Sequence, residues 1–185
     1  MFIPLNHVTP DIDHETLRRL AATLESRPAV KRCIEVGTWA GSTALTLAPF
    51  FDYLYCVDHF QGNVGSHLEK TRELLNEEGE EGVFRVFSYN LREHLMDSVF
   101  PCVGSSLEWA AIWPFKVDMI FIDAEHDYEN VKADIEAWMP HVRKGGILCG
   151  HDYCPKFPGV IQAVDEIFTT GYLSIRGNIW WVHVK

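Results

Sequence analysis

Two pairs of side chains in this 185-residue sequence have the types and spacing to do chemistry. Asp123 and His126 follow the apolar run "MIFI", and His151 and Asp152 follow "GGILCG". Imidazole titrates near neutral pH, so either histidine can remove the proton of a hydroxyl. A divalent cation could instead bind the acceptor oxygens and lower their pKa. Imidazole among carboxylates takes Mg²⁺ less readily than Mn²⁺, Fe²⁺ or Zn²⁺.

A third group lies upstream. The segment "EVGTWAGST" contains Glu35, Gly37, Thr38, Gly41 and Ser42 directly after an apolar run. Glycine there lets backbone approach a ligand, and a following helix offers unpaired N–H groups. Asp58, at the end of the next β-rich run, is placed to accept hydrogen bonds from two ribose hydroxyls. The spacing is G-x-x-x-G, without the central glycine that lets a pyrophosphate lie against the turn. Glu35 would repel phosphate and suits the cationic amino-acid end of a phosphate-free nucleoside. S-adenosylmethionine is such a ligand.

These groups must be held by an alternation of short elements. "DIDHETLRRLAATLESR" puts Leu17, Leu20, Ala21 and Leu24 on one helical face behind an Asp or His cap. "KRCIEV" and "YLYCVD" are β-rich, and "STALTLAPFF" between them is helical behind a good cap. Further on, residues 64 to 78 are polar and helical, "VFRVFS" is expected as a strand and "LREHLMDS" as a short helix. "MIFI" has the composition of a central parallel strand. Residues 128 to 139 predict a helix, "GGILCGHD" a strand and "GVIQAVDEIF" a helix, before the hairpin signal "YLSIRGNIWWVHVK". The fold class is therefore α/β: a doubly wound, Rossmann-like, mostly parallel seven-stranded sheet with a C-terminal antiparallel hairpin and helices on both faces. If the strands before Asp123 and His151 are neighbours, all four reactive side chains meet at one rim.

Bulk properties narrow the partners. With 47% apolar residues, positions 1 to 185 are expected as one domain. A formal charge of -10 repels phosphate backbones and anionic lipid, so neither nucleic acid nor membrane is expected. No eighteen-residue apolar run and no signal-peptide pattern occur, which points to the cytoplasm. The five cysteines are scattered through apolar segments, as buried thiols are. Cys149, His151 and Cys154 lack a second pair to complete a structural zinc site. The tryptophans suit core and hairpin packing, Tyr128 and Tyr153 either an acceptor pocket or packing, and "NEEGEEG" a solvated helix end.

Together, "EVGTWAGST", "VDHF" and "FIDAEHDYENVKADIEAWMPHVRKGGILCGHDY" resemble the class I S-adenosylmethionine-dependent methyltransferases. Within them the likeness is to the branch of macrocin-type sugar O-methyltransferases and a cephalosporin-pathway relative. That resemblance implies that Glu35 and Gly37 face the methionine part of the cofactor, Asp58 the ribose and His59 the adenine. "VGSSLEWA" resembles the segment in which Gly104 and Ser105 line the adenine pocket. The family's D-x-x-H pattern recurs as Asp123 to His126, which makes His126 the candidate base and His151 its rival. Related sugar enzymes hold Mg²⁺ with an Asp and a Glu-Asp pair, where this chain has Asp123 and His151-Asp152. The implied reaction is methyl transfer to a hydroxyl of a small acceptor, with a homo-oligomer left open. The alternatives are an NAD-dependent oxidoreductase on the same fold and a non-catalytic cofactor-binding relative. Lid candidates are residues 1 to 12, 60 to 82 and "HDYCPKFPG".

Overall fold

The structure, a computed structural model, describes residues 9–24, 30–61, 82–168 and 171–185. Seven strands form one sheet: β1 Arg32–Val36, β2 Tyr53–Asp58, β3 Val99–Val103, β4 Val117–Ile122, β5 Val142–Gly150, β6 Ser174–Arg176 and β7 Ile179–His183. Their order is β3-β2-β1-β4-β5-β7-β6. The first five are parallel, and β7 pairs antiparallel with both β5 and β6. The expected fold class is therefore the observed one. Because β1 leads outward to β2 and β3 and the chain then returns to place β4 on the other side, the strand order reverses between β1 and β4. Sheets of this kind bind ligands beyond the carboxyl ends at that reversal.

Among the described residues, six helices flank the sheet: α1 Asp11–Thr23, α2 Ser42–Leu47, α3 Gly82–Asn90, α4 Ser106–Ile112, α5 Tyr128–Trp138 and α6 Pro158–Ile167. Alternate strand residues feed two separate cores, as pleating requires. Cys33, Met119, Phe121 and Cys149 pack with Leu17 of α1, Leu47 of α2 and Phe87 of α3. Ile34, Ile120, Ile122 and Leu148 pack on the other face with Val131, Ile135 and Trp138 of α5 and Val160 of α6. Burial on both faces explains why "MIFI" carries no polar alternation. No helix among the described residues is long and apolar enough to cross a membrane.

Several local expectations are corrected. "VFRVFS" is not a strand but part of α3: Val83 and Phe87, one helical turn apart, are buried, and Phe84 stacks beside Phe87. "LREHLMDS" is a series of turns rather than a helix, pinned by the buried Leu91. The third strand lies instead at "VFPCV", an edge strand whose Pro101 needs no outer partner. No side chain caps α1 or α2; Pro10 and the left-handed Gly41 occupy those positions. The expected helix over residues 64 to 78 lies outside the described residues.

Candidate functional site

The ladder continues one residue past the strand ends. The N–H groups of Gly37, Gly104, Asp123 and His151 donate to the carbonyls of Val57, Asp58, Val36 and Ile122. Gly104, Asp58, Gly37, Asp123 and His151 therefore stand in one row along the carboxyl rim of β3, β2, β1, β4 and β5.

Gly37 has φ 84°, and a Cβ there would lie 2.2 Å from the Asp123 carbonyl oxygen. The glycine thus lets the loops after β1 and β4 touch across the strand-order reversal. Trp39, at φ 44°, is a non-glycine residue in the left-handed region, and its N–H donates to Asp58 Oδ2 at 2.8 Å. The Phe60 N–H donates to Asp58 Oδ1 at 2.7 Å. Each Asp58 oxygen keeps a further lone pair, which suits it to a ribose diol. His59 is exposed, with Nδ1 accepting from the Gln61 N–H. Gly41 caps α2 and packs on Leu91, Ser42 opens that helix, and Ser105 is the exposed residue before α4. At Gly104 a Cβ would stand 3.1 Å from the Trp109 indole nitrogen.

Glu35 lies beneath this rim at 0% exposure, enclosed by its own chain. The hydroxyl of Thr38 donates to Oε2 at 2.7 Å and that of Thr43 to Oε1. Burial pushes its carboxyl up to about 8, against the pull of the Thr43 and Thr38 hydroxyls.

On the far side of the reversal, pairing of β4 with β5 brings the four reactive side chains together. His126 Nε2 stands 2.6 Å from Asp152 Oδ2. His151 Nδ1 stands 3.1 Å from Asp152 Oδ1 and 3.6 Å from Asp123 Oδ1. Donor atoms of Asp123, His126 and Asp152 lie within 4.8 Å of one another. They line a cleft whose other walls include Val131, Val160 and Trp180. Asp152 has φ 59°, a left-handed conformation that aspartate adopts more readily than most non-glycine residues. Asp127 caps α5 by accepting from the Asn130 N–H at 3.1 Å, so Asp123 is free of that duty.

The charges interlock. Burial works to raise the Asp152 carboxyl, but hydrogen bonds from His126 and His151 outweigh it and hold it well below the carboxylate range. Asp152 in turn raises His126. Burial opposes charge on His151, yet Asp123, Asp152 and Asp13 push its imidazole up to about 10. Burial likewise lifts the Asp123 carboxyl.

Asp13 is the residue that sequence reasoning missed. It is fully buried, with Oδ2 3.2 Å from His151 Nε2 and Oδ1 accepting from the Asn178 N–H at 2.8 Å. The signal existed: Asp13 falls on the same helical stripe as Leu17, Leu20, Ala21 and Leu24, where a carboxylate has no place without a partner. Phe157, stacked on His126 with ring centroids 4.3 Å apart, was also missed. The Tyr128 and Tyr153 hydroxyls donate to Glu166 and Asp165, away from the cleft. Trp138 and Trp180 are core residues. Cys149 is fully buried with its thiol toward the Ile120 carbonyl, which removes it from any zinc site with His151.

The sequence model of a methyltransferase domain matches residues 34–153, from β1 to just past His151 and Asp152. The chain belongs to that methyltransferase family. Its membership decides against the oxidoreductase alternative. Among curated proteins no match is found. The methyltransferase resembles the solved O-methyltransferase NovP, with 18% identity over 94% of this chain and 79% of that one and a TM-score of 0.71. An O-methyltransferase from Bacillus cereus in complex with S-adenosylhomocysteine gives 18% identity, 98% and 84% coverage and a TM-score of 0.66. CalS11, a calicheamicin methyltransferase, gives 18%, 92% and 77%, and 0.64. At such identities the likeness is one of fold, that of the class I S-adenosylmethionine-dependent methyltransferases.

Proposed function

We propose that this protein transfers a methyl group from S-adenosylmethionine to a hydroxyl of a small sugar-like or natural-product-like acceptor, assisted by a divalent cation. The observation that carries the reading is the meeting of Asp123, His126, His151 and Asp152 beside the β1–β4 reversal. Asp58 with its free lone pairs and the Gly37–Gly41 loop fit the cofactor's ribose and amino-acid ends. When bound, the cofactor supplies an electrophilic methyl on a sulfonium. Support for the acceptor class comes from the resemblance to sugar O-methyltransferases and from the likeness to a calicheamicin methyltransferase.

Asp152 divides the work between its two oxygens. Oδ2 is an acceptor-only partner, so it fixes the hydrogen of His126 on Nε2 and leaves Nδ1 as the base toward the acceptor. Phe157 keeps that ring in one plane. Oδ1 faces His151 Nδ1, which also meets Asp123 Oδ1, and these three residues would hold a divalent cation, whose contribution would be to lower the acceptor hydroxyl's pKa. A cation with imidazole tolerance fits them better than Mg²⁺.

The test is S-adenosylhomocysteine release from a panel of sugars and phenolic metabolites, with Mn²⁺, Mg²⁺ or chelator. Turnover with at least one hydroxyl acceptor is expected. His126→Ala should lower kcat by roughly 10² to 10⁴-fold while S-adenosylhomocysteine still raises the melting temperature. Unchanged turnover in that variant removes His126 from the mechanism.

A further inference from the structure

The two ring nitrogens of His151 meet three carboxylates, and one of these lies outside the rim. Asp13, 138 residues earlier in the chain, meets Nε2 at 3.2 Å, while Nδ1 points between Asp152 and Asp123. Were a cation to replace the hydrogen between Nδ1 and the carboxylates of Asp123 and Asp152, the ring hydrogen that remains would sit on Nε2, where Asp13 accepts it. Histidines that ligate metals regularly donate their other ring N–H to a carboxylate in this way.

The surroundings are shaped around Asp13. It has 0% exposure, and at Gly177, φ 64°, a Cβ would stand 2.1 Å from its Oδ1. The Asn178 N–H and side-chain amide supply hydrogen bonds at 2.8 and 3.3 Å. Helix α1 does not depend on this contact alone. His14 Nδ1 meets the Thr46 hydroxyl at 2.7 Å, and Arg176 donates to Glu15 at 3.0 Å. Asn178 reaches both oxygens of Asp13, Oδ1 through its N–H and Oδ2 through its side-chain amide, and Oδ2 also meets His151 Nε2, so one buried carboxylate serves the hairpin and the histidine together.

We propose that Asp13 is a positioning residue for the cation site: it locks His151 so that Nδ1 serves as a ligand together with Asp123 and Asp152. The inference rests on the cation-assisted reading above and names the residue outside the ligand set on which affinity depends. In chemical class the ligand is a divalent transition cation, Mn²⁺ or Zn²⁺, that accepts one imidazole among carboxylates.

The experiment is Mn²⁺ titration of the full chain, followed by electron paramagnetic resonance of free Mn²⁺, for wild type, Asp13→Asn, His151→Gln and the double variant. Asp13→Asn should weaken binding 10 to 100-fold, and the same change in the His151→Gln background should have no further effect. Arg176→Ala, which loosens α1 without touching His151, should bind as wild type does. Equal affinity in Asp13→Asn, or an equal loss with and without His151, overturns the proposal while leaving the cation reading intact. Wild-type protein that takes up no Mn²⁺ overturns both. If Asp13→Asn does not fold, ring-¹⁵N spectra of wild type with and without Zn²⁺ decide. A shift at His151 Nδ1 with the proton kept on Nε2 is expected, and the reverse sinks the idea.

Discussion

Glu35 carries a charge question that its position in the sequence does not answer. Its place after a strand and before a glycine marks it as a partner for a cation, and the structure puts it beneath the rim with both oxygens held by threonines. With its carboxyl pushed up to about 8, folding favours the neutral form. The stability this contributes is full below the unfolded value of 4.5 and is lost progressively as pH rises to about 8. Glu35→Gln should therefore match wild type near pH 5. By pH 8 it should be the more stable by on the order of 3 kcal/mol, read from urea unfolding at both pH values. Residue types alone revealed Asp123, His126, His151 and Asp152, because each follows an apolar run that could only be a buried strand. They did not reveal Asp13, because its partners arrive from Gly177, Asn178 and His151, contacts that only the tertiary fold creates.

The elements were legible where composition and period agreed. "MIFI" and the hairpin turn at Gly177 stand where they were expected, with β6 and β7 paired through Arg176 and Ile179. "VFRVFS" failed because Val and Phe favour strands in general, whereas here the spacing of Val83, Phe87 and Leu91 matches a helical stripe under the sheet. "VFPCV" was hidden by its proline, which an edge strand tolerates. The turns between elements are more demanding than the elements. Gly37→Ala combines a left-handed φ with a 2.2 Å overlap on the Asp123 backbone, so it should cost about 3 kcal/mol or more and separate β1 from β4 at the site. Gly171→Ala, with φ 65° and nothing within 4 Å, should cost only about 1 kcal/mol. Thermal unfolding of the two variants checks the contrast.

At the scale of the molecule, the β6–β7 hairpin does more than close an edge. Trp180 is 1% exposed, and its indole fills the space that a Cβ on Gly150 would need. A chain ending at residue 170 should lose cooperative urea unfolding and aggregate, since it exposes the β5 edge and the floor of the cleft. Light scattering of the truncated protein measures this. The same hairpin also supplies Asn178 to Asp13, so the buried carboxylate joins α1 to the β6–β7 hairpin. Synthesis from the amino end therefore produces helix α1 long before its carboxylate has anywhere to go. A nascent chain holding every rim residue still leaves Asp13 in water until residue 178 clears the ribosome, and chemistry at the rim waits for the β6–β7 hairpin to arrive.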